Sequence, residues 1–237
     1  RTEPNQLLEL LRNALSNSRT PSITEDAPAK EVSEEEVNLK DYPILKHFEK
    51  DGGPYVTSSI FTAKDEKGTR NLSFHRLKLI ENDKFAIRLV PRDLEKMFKE
   101  SEEKDEPLEV AAFMGVEPGV ALAAATSPDY ETDEYEIAGA LSKELELTEC
   151  ETVNLEVPAD AEIVMEGKLL PNQRAPEGPF ADITQTYDVV RQQPIFKVEH
   201  ITHRKDPVYP ALLPGSAEHK FLMGMPREPL IYEEVKK

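Results

Sequence analysis

Two stretches of this 237-residue sequence concentrate side chains that can do chemistry. The first runs Arg70-Asn-Leu-Ser-Phe-His-Arg76 and resumes at Arg88-Leu-Val-Pro-Arg92. Arginines on neighbouring strands make a local positive site, and a guanidinium fork holds a carboxylate or phosphate bidentately. The plain alternative is that they pair with acids on the surface around them. The second stretch is Arg174-Ala-Pro-Glu177-Gly-Pro-Phe-Ala-Asp182. It sets one carboxylate between Pro176 and Gly178-Pro179, where the backbone has little freedom, and a second five residues on. Two carboxylates beside an arginine can divide the work, one staying ionised and the other carrying a proton. Taken alone, the same stretch also reads as an ordinary turn.

These groups need elements to position them. Residues 55–62, 70–80 and 84–90 are rich in β-branched and aromatic side chains and are separated by the turns DEKG and ENDK, which predicts a meander of antiparallel strands. Residues 93–103 read as a charged helix, and 108–114 as a buried strand. Gly115-Val-Glu-Pro-Gly119 then opens an alanine-rich helix and could offer N–H groups to a phosphate. An acidic loop at 129–136 leads into a short helix, and residues 152–201 alternate and break like β structure. In front of all this, 5–15 reads as an amphipathic helix, 21–36 as a mobile acidic linker, and Ile44, Leu45 and Phe48 as a helix stopped by Asp51-Gly-Gly-Pro54. The fold class is α+β, strand-rich, with a partly closed barrel and peripheral helices.

Composition removes other classes. With 46 acidic against 29 basic residues the net charge is −17, which repels phosphate backbones and anionic lipid surfaces. No nucleic-acid or membrane partner is expected. A single cysteine, Cys150, fits a reducing cytoplasm. The sequence has no G-x-S-x-G, P-loop, G-x-G-x-x-G, H-E-x-x-H or paired C-x-x-C motif.

Several separated motifs, in order, resemble the UbiD family of decarboxylases: NLSFHR at 71–76, IRLVPR at 87–92, DEYEIAGAL at 133–141, VPADAEIVMEG at 157–167, PEGPFADIT at 176–184 and the segment 201–224. The resemblance implies a central split β-barrel like that of FMN-binding flavin reductases, over residues 41–230, behind an N-terminal helix and linker at 1–40. Residues 231–237 would be a tail, with the family's C-terminal domain absent. It implies prenylated FMN as cofactor and decarboxylation of an aromatic or α,β-unsaturated acid. Such a reaction needs an electron sink that side chains do not provide.

The family's arginine and carboxylates map to Arg76, Glu177 and Asp182: Arg76 to anchor the substrate carboxylate, Asp182 to exchange the proton, Glu177 to hold Arg76. The resemblance assigns cofactor contacts to Ser73, Phe74, His75, Arg88, Arg92 and Thr126. It assigns a Mn2+ or Mg2+ site, with K+ as a possible companion, to Asn71 and Glu134, with Asp93 in reach. By its own strand alternation His75 faces away from Arg76 and reads as structural.

Two departures stand out. Ala181-Asp182 replaces the usual Gly-Glu pair, so the second carboxylate is one methylene shorter, and the usual metal-binding histidine is missing where Arg92 and Asp93 stand. A flavin prenyltransferase is the implied cofactor supplier, and the full-length protein is expected to form homo-oligomers. The competing readings are a non-catalytic flavin-binding or assembly domain and an FMN-dependent reductase on the same barrel.

Overall fold

The computed structural model describes residues 4–130 and 132–236. Glu131, inside the expected acidic loop, lies outside them. In chain order the elements are α1 (Pro4–Ser16), β1 (Ser22–Ile23), β2 (Val32–Ser33), β3 (Tyr55–Val56), β4 (Ile60–Lys64), β5 (Arg70–Phe74), β6 (Leu77–Leu79), β7 (Lys84–Ile87), α2 (Asp93–Glu102), β8 (Leu108–Met114), α3 (Pro118–Ala124), α4 (Glu134–Leu141), β9 (Glu146–Glu149), β10 (Glu156–Pro158), β11 (Ile163–Glu177), β12 (Phe180–Ala181), β13 (Tyr187–Asp188), β14 (Arg191–His203), α5 (Ala217–Gly224) and α6 (Glu228–Val235). Among the described residues no helix is long and apolar enough to cross a membrane.

The centre is an antiparallel sheet in the order β3-β6-β7-β14-β11-β8-β4-β5, with β2 joined to β14. Strand β8 shows why it folds this way. Its near-continuous apolar run sends Val110, Ala112 and Met114 into one core, while Ala111 and Phe113 enter a second core under α3 and α4. A period of two with both faces covered needs apolar residues at every position. Its neighbour β11 does the same with Ile163 and Met165 on one side and Val164 on the other.

The sheet curls until its ends meet. Strands β5 and β6 lie near opposite ends of the order, yet only His75 and Arg76 separate them in the chain. At ~3.8 Å per residue, so short a link brings the two ends side by side. Ser59, in the parallel connection from β3 to β4, stitches this seam: its Oγ donates to the His75 carbonyl at 2.6 Å and its carbonyl accepts from the His75 amide at 3.2 Å.

Two sequence expectations are corrected. The linker at 21–36 is packed onto the protein: Ser22–Ile23 pair with β9, Val32–Ser33 pair with β14, and Ala29 is fully buried. Most of its acids face solvent while Ala29 and several backbone amides find partners, which composition alone does not reveal. Residues 44–50 form no helix. Leu45 instead bridges to Tyr55, and Asp51 turns its carboxylate onto the amides of Phe48 and Ala181.

Candidate active site

Arg76 sits on the seam, 11% exposed, with three carboxylates on its five N–H groups. Glu177 takes the side edge bidentately, from Nε to Oε1 at 2.9 Å and from Nη2 to Oε2 at 3.1 Å. Asp182 accepts from Nη1 at 2.9 Å and Asp188 from Nη2 at 3.2 Å. The Phe180 ring lies under the guanidinium with its centroid 4.5 Å away, and Tyr55 packs on Phe180. Burial works against the Arg76 charge, but the hydrogen bonds and charges of Glu177, Asp182 and Asp188 outweigh it and hold the guanidinium ionised.

The local chain makes this possible. Glu177 ends the long strand β11 and has no exposure. Gly178 follows at φ +95° and gives its amide to Tyr55 Oη at 2.9 Å. A side chain there would meet the Val189 carbonyl at 2.8 Å, and one on Gly52 would meet the Gly178 carbonyl at 2.1 Å. The two glycines allow the turn after Glu177 to press against the Asp51–Gly53 loop. The β12–β13 hairpin then carries Asp182 and Asp188 back to the same guanidinium. Asp188 also accepts from Arg191 at 2.5 Å and lies 3.9 Å from Arg88 Nε. Burial opposes its charge, but Arg191, the Val189 amide and Arg76 hold its carboxyl below the usual range.

A second polar chain begins five residues earlier, at Asn71. Glu134, 3% exposed, accepts from the Leu72 amide at 2.8 Å and from Asn71 Nδ2 at 3.2 Å. It stands at the start of α4, whose N-cap Asp133 accepts from the Tyr135 amide and is clasped by Arg70 at 2.6 Å and 2.8 Å. Arg70 thus follows the plain reading, an arginine paired with acids. Neither group donating to Glu134 is charged, and burial pushes its carboxyl up to about 8, with Asp93 and Asp133 adding to the rise. Ser73 Oγ lies 3.0 Å from both Asn71 Oδ1 and His75 Nε2 and has one hydrogen to share between them. His75 Nδ1 faces the Arg88 carbonyl at 3.0 Å, so it carries the ring hydrogen. Burial, with Arg92 nearby, drives His75 down to about 4 and keeps it neutral.

The remaining sequence candidates are placed as follows. Asn71 and Glu134 meet; Asp93 is close enough to act on Glu134, and burial raises its own carboxyl. Among the described residues no group of three His, Cys, Asp or Glu side chains forms a ready-made metal site. A cation at Asn71 and Glu134 nevertheless suits the donors, two side chains with hard oxygens, one of them a buried carboxylate lacking a charged partner. Arg92 donates to Ser127 Oγ at 2.5 Å, and Arg88 to the Leu89 carbonyl at 2.8 Å. Each keeps further N–H groups able to hold an anion such as a flavin phosphate. Phe74 is half-buried against the α3–α4 core. The Thr126 hydroxyl donates to the Ala123 carbonyl, so its hydrogen is already used. At the Gly115–Gly119 turn the Glu162 side chain fills the space beside Gly115.

Asp188, Arg191, Tyr55 and Phe180 were not singled out by sequence. Asp188 follows Asp182 by six residues, and only the hairpin register, Phe180 opposite Asp188, reveals that both face Arg76. Arg227 was also missed: its Nε is buried without a hydrogen-bond partner, and burial with the Arg92 charge lowers its pKa.

The sequence profile of the UbiD family, described as the 3-octaprenyl-4-hydroxybenzoate carboxy-lyase Rift-related domain, matches residues 22–217. A protein of Methanothermobacter thermautotrophicus named anhydromevalonate phosphate decarboxylase is 46% identical over 201 residues, covering 84% of this chain and 47% of the relative. One of the same name from Methanosarcina mazei is 44% identical over 211 residues, covering 88% of this chain and 49% of the relative. The chain therefore spans about half the length of the curated relatives it matches. Among solved structures, the UbiD-class enzyme HmfF of Pelotomaculum thermopropionicum, in an evolved dimeric form in complex with prFMN, superposes with a TM-score of 0.95 at 41% identity, over 97% of this chain and 55% of that one. The vanillic acid decarboxylase of Sedimentibacter hydroxybenzoicus in closed form gives 0.90 at 27% identity, over 100% of this chain and 53% of that one.

Proposed function

The chain belongs to the UbiD family, and from that premise we propose that it carries the site at which the whole protein decarboxylates, reversibly and without net oxidation, an unsaturated or aromatic carboxylic acid with the aid of prenylated FMN. The curled sheet would be the family's split flavin-binding barrel. The observation that carries the reading is Arg76, an anion anchor gripped on one edge by a fully buried Glu177 and touched on the other by the half-exposed Asp182.

When bound, prenylated FMN supplies the electron sink for the carbon that loses CO2, which no side chain can provide. Arg88 and Arg92 would hold its phosphate, and Asn71, Glu134 and Asp93 would hold a Mn2+ or Mg2+ ion beside it. Arg76 orients the substrate carboxylate by paired N–H donors, and Glu177 fixes the guanidinium plane while it does so. Asp182 has a single contact with Arg76 and 40% exposure, so it can take a proton from solvent, turn toward the vacated carbon and hand that proton on there. In the reverse direction the same oxygen takes the proton back.

Among acids, one with a second anionic group suits the half-buried Arg227, which lies near enough to Arg92 to feel its charge, and a phosphate-bearing unsaturated acid accords with the name carried by the relatives from Methanothermobacter and Methanosarcina. A flavin prenyltransferase would supply the cofactor in a reducing cytoplasm, and the whole protein would assemble with copies of itself. A simple flavin reductase would have no use for Glu177 and Asp182. Asp182→Asn in the full-length protein is expected to abolish decarboxylation while leaving flavin binding, followed by its absorbance, nearly unchanged. Retained turnover would sink the assignment.

A further inference from the structure

The three carboxylates around Arg76 are not equally bound to it. Glu177 spends both oxygens on the guanidinium and is wholly buried, so it has nowhere else to go. Asp182 has one oxygen on Arg76 and the other on the Ile183 amide. Asp188 is held still more independently: Oδ1 accepts from the Val189 amide at 2.9 Å and from Arg191 Nη1 at 2.5 Å, while Oδ2 is divided between Arg76 at 3.2 Å and Arg88 at 3.9 Å. Together Arg76, Arg88 and Arg191 balance Glu177, Asp182 and Asp188, three charges against three.

With Glu177 on the side edge formed by Nε and Nη2, the only paired donors left for an incoming carboxylate are those of the distal edge, Nη1 and Nη2. Asp182 and Asp188 occupy that edge. We propose that Asp188 is a positioning residue that keeps the distal edge of Arg76 aligned until a substrate carboxylate displaces it, and that Arg191 sets how readily it lets go. This rests on the reading of Arg76 as the carboxylate anchor. On displacement Asp188 keeps Arg191, the Val189 amide and Arg88, so no charge is left buried and unpaired, which is the costly outcome. Arg191 is in register opposite Glu177 and is 38% exposed, so it can follow Asp188 without disturbing the core.

The test uses the full-length, cofactor-loaded protein and 3-methylbutanoate, a saturated acid, with 3-methylbutanamide as its uncharged control, both titrated calorimetrically. Asp188→Asn keeps the shape and removes the competing charge; it should tighten the acid about fivefold, the size of a partly exposed ion pair, and leave the amide unchanged. Arg191→Gln removes the alternative partner and should weaken the acid about threefold. The double variant should match Asp188→Asn alone, which a merely structural role for Arg191 would not produce. Unchanged or weaker acid binding in Asp188→Asn, or an undiminished Arg191→Gln effect in its background, overturns the proposal. Arg76→Gln separates the two failures. If it leaves acid binding intact, the anchor reading falls and this one with it; if it abolishes binding while the Asp188 and Arg191 variants change nothing, only the role of Asp188 falls.

Discussion

Residues 71–75 and residue 76 are consecutive, yet they enter two polar regions that handle burial in opposite ways. Around Arg76 opposite charges are paired, with three acids on one guanidinium and two more arginines behind them. Around Asn71 and Glu134 charge is suppressed: the carboxyl is pushed up to about 8 and the histidine down to about 4 by lack of solvent. A matched cluster can exchange one anion for another at little cost, because each ion has a second partner. An unmatched buried carboxylate gains most from a cation. On the proposed reading the two regions would take ligands of opposite sign on either side of one seam.

The comparison breaks most readily at Arg76. Arg76→Gln leaves the buried Glu177 carboxylate without its bidentate partner and should destabilise the protein by about 3–5 kcal/mol in urea unfolding, with activity lost. A loss of only a few tenths would mean that the cluster is not matched in the way described.

The next effect concerns His75. Its folded value of about 4 lies below an unfolded value near 6.5, so as pH falls the unfolded chain binds the proton first. Stability present above about pH 6.5 should therefore be lost on the way down to about pH 4, by on the order of 3 kcal/mol, and His75→Gln should flatten that slope. Equal slopes in the two proteins would remove His75 from the account.

The smallest effect sharpens the other side. Glu134 has a folded value above its unfolded one, so the folded state pays for its ionisation increasingly from about pH 4.5 up to about pH 8. Added Mn2+ should raise Tm by about 2–4 °C at pH 8.5 and by less at pH 5, and Glu134→Gln should cancel the difference. A pH-independent gain would place the ion elsewhere.

Local patterns were legible where the physics is local. The run 108–114 became strand β8 at the same bounds, and the helix read at 93–103 became α2. The mixed, strand-rich α+β class was legible too, since β-branched and aromatic runs between polar turns in 55–90 and the alternation in 152–201 are local signals. What escaped was set by partners far along the chain. The acids of 21–36 conceal a segment that pairs with β9 and β14. Ile44, Leu45 and Phe48 are spaced for a helix, but the Tyr55 backbone takes Leu45 into a bridge. At the site, Arg76, Glu177 and Asp182 were visible through resemblance to a family, because their motifs are contiguous. Asp188 and Arg191 depend on hairpin register, which no spacing rule exposes.

The seam between β5 and β6 also bears on what a bound ligand reports. Strands β4 and β5, and β6 and β7, form tight hairpins joined through residues 65–69 and 80–83, while β11 and β14 are joined through residues 178–190. Arg76 lies in the link between the first two hairpins and Glu177 at the end of β11, far apart in the chain. Their bidentate pair exists only when both segments are docked on one another. A partly folded chain can own most of the sheet and still have no anion seat, which makes ligand binding at Arg76 a reporter of complete closure.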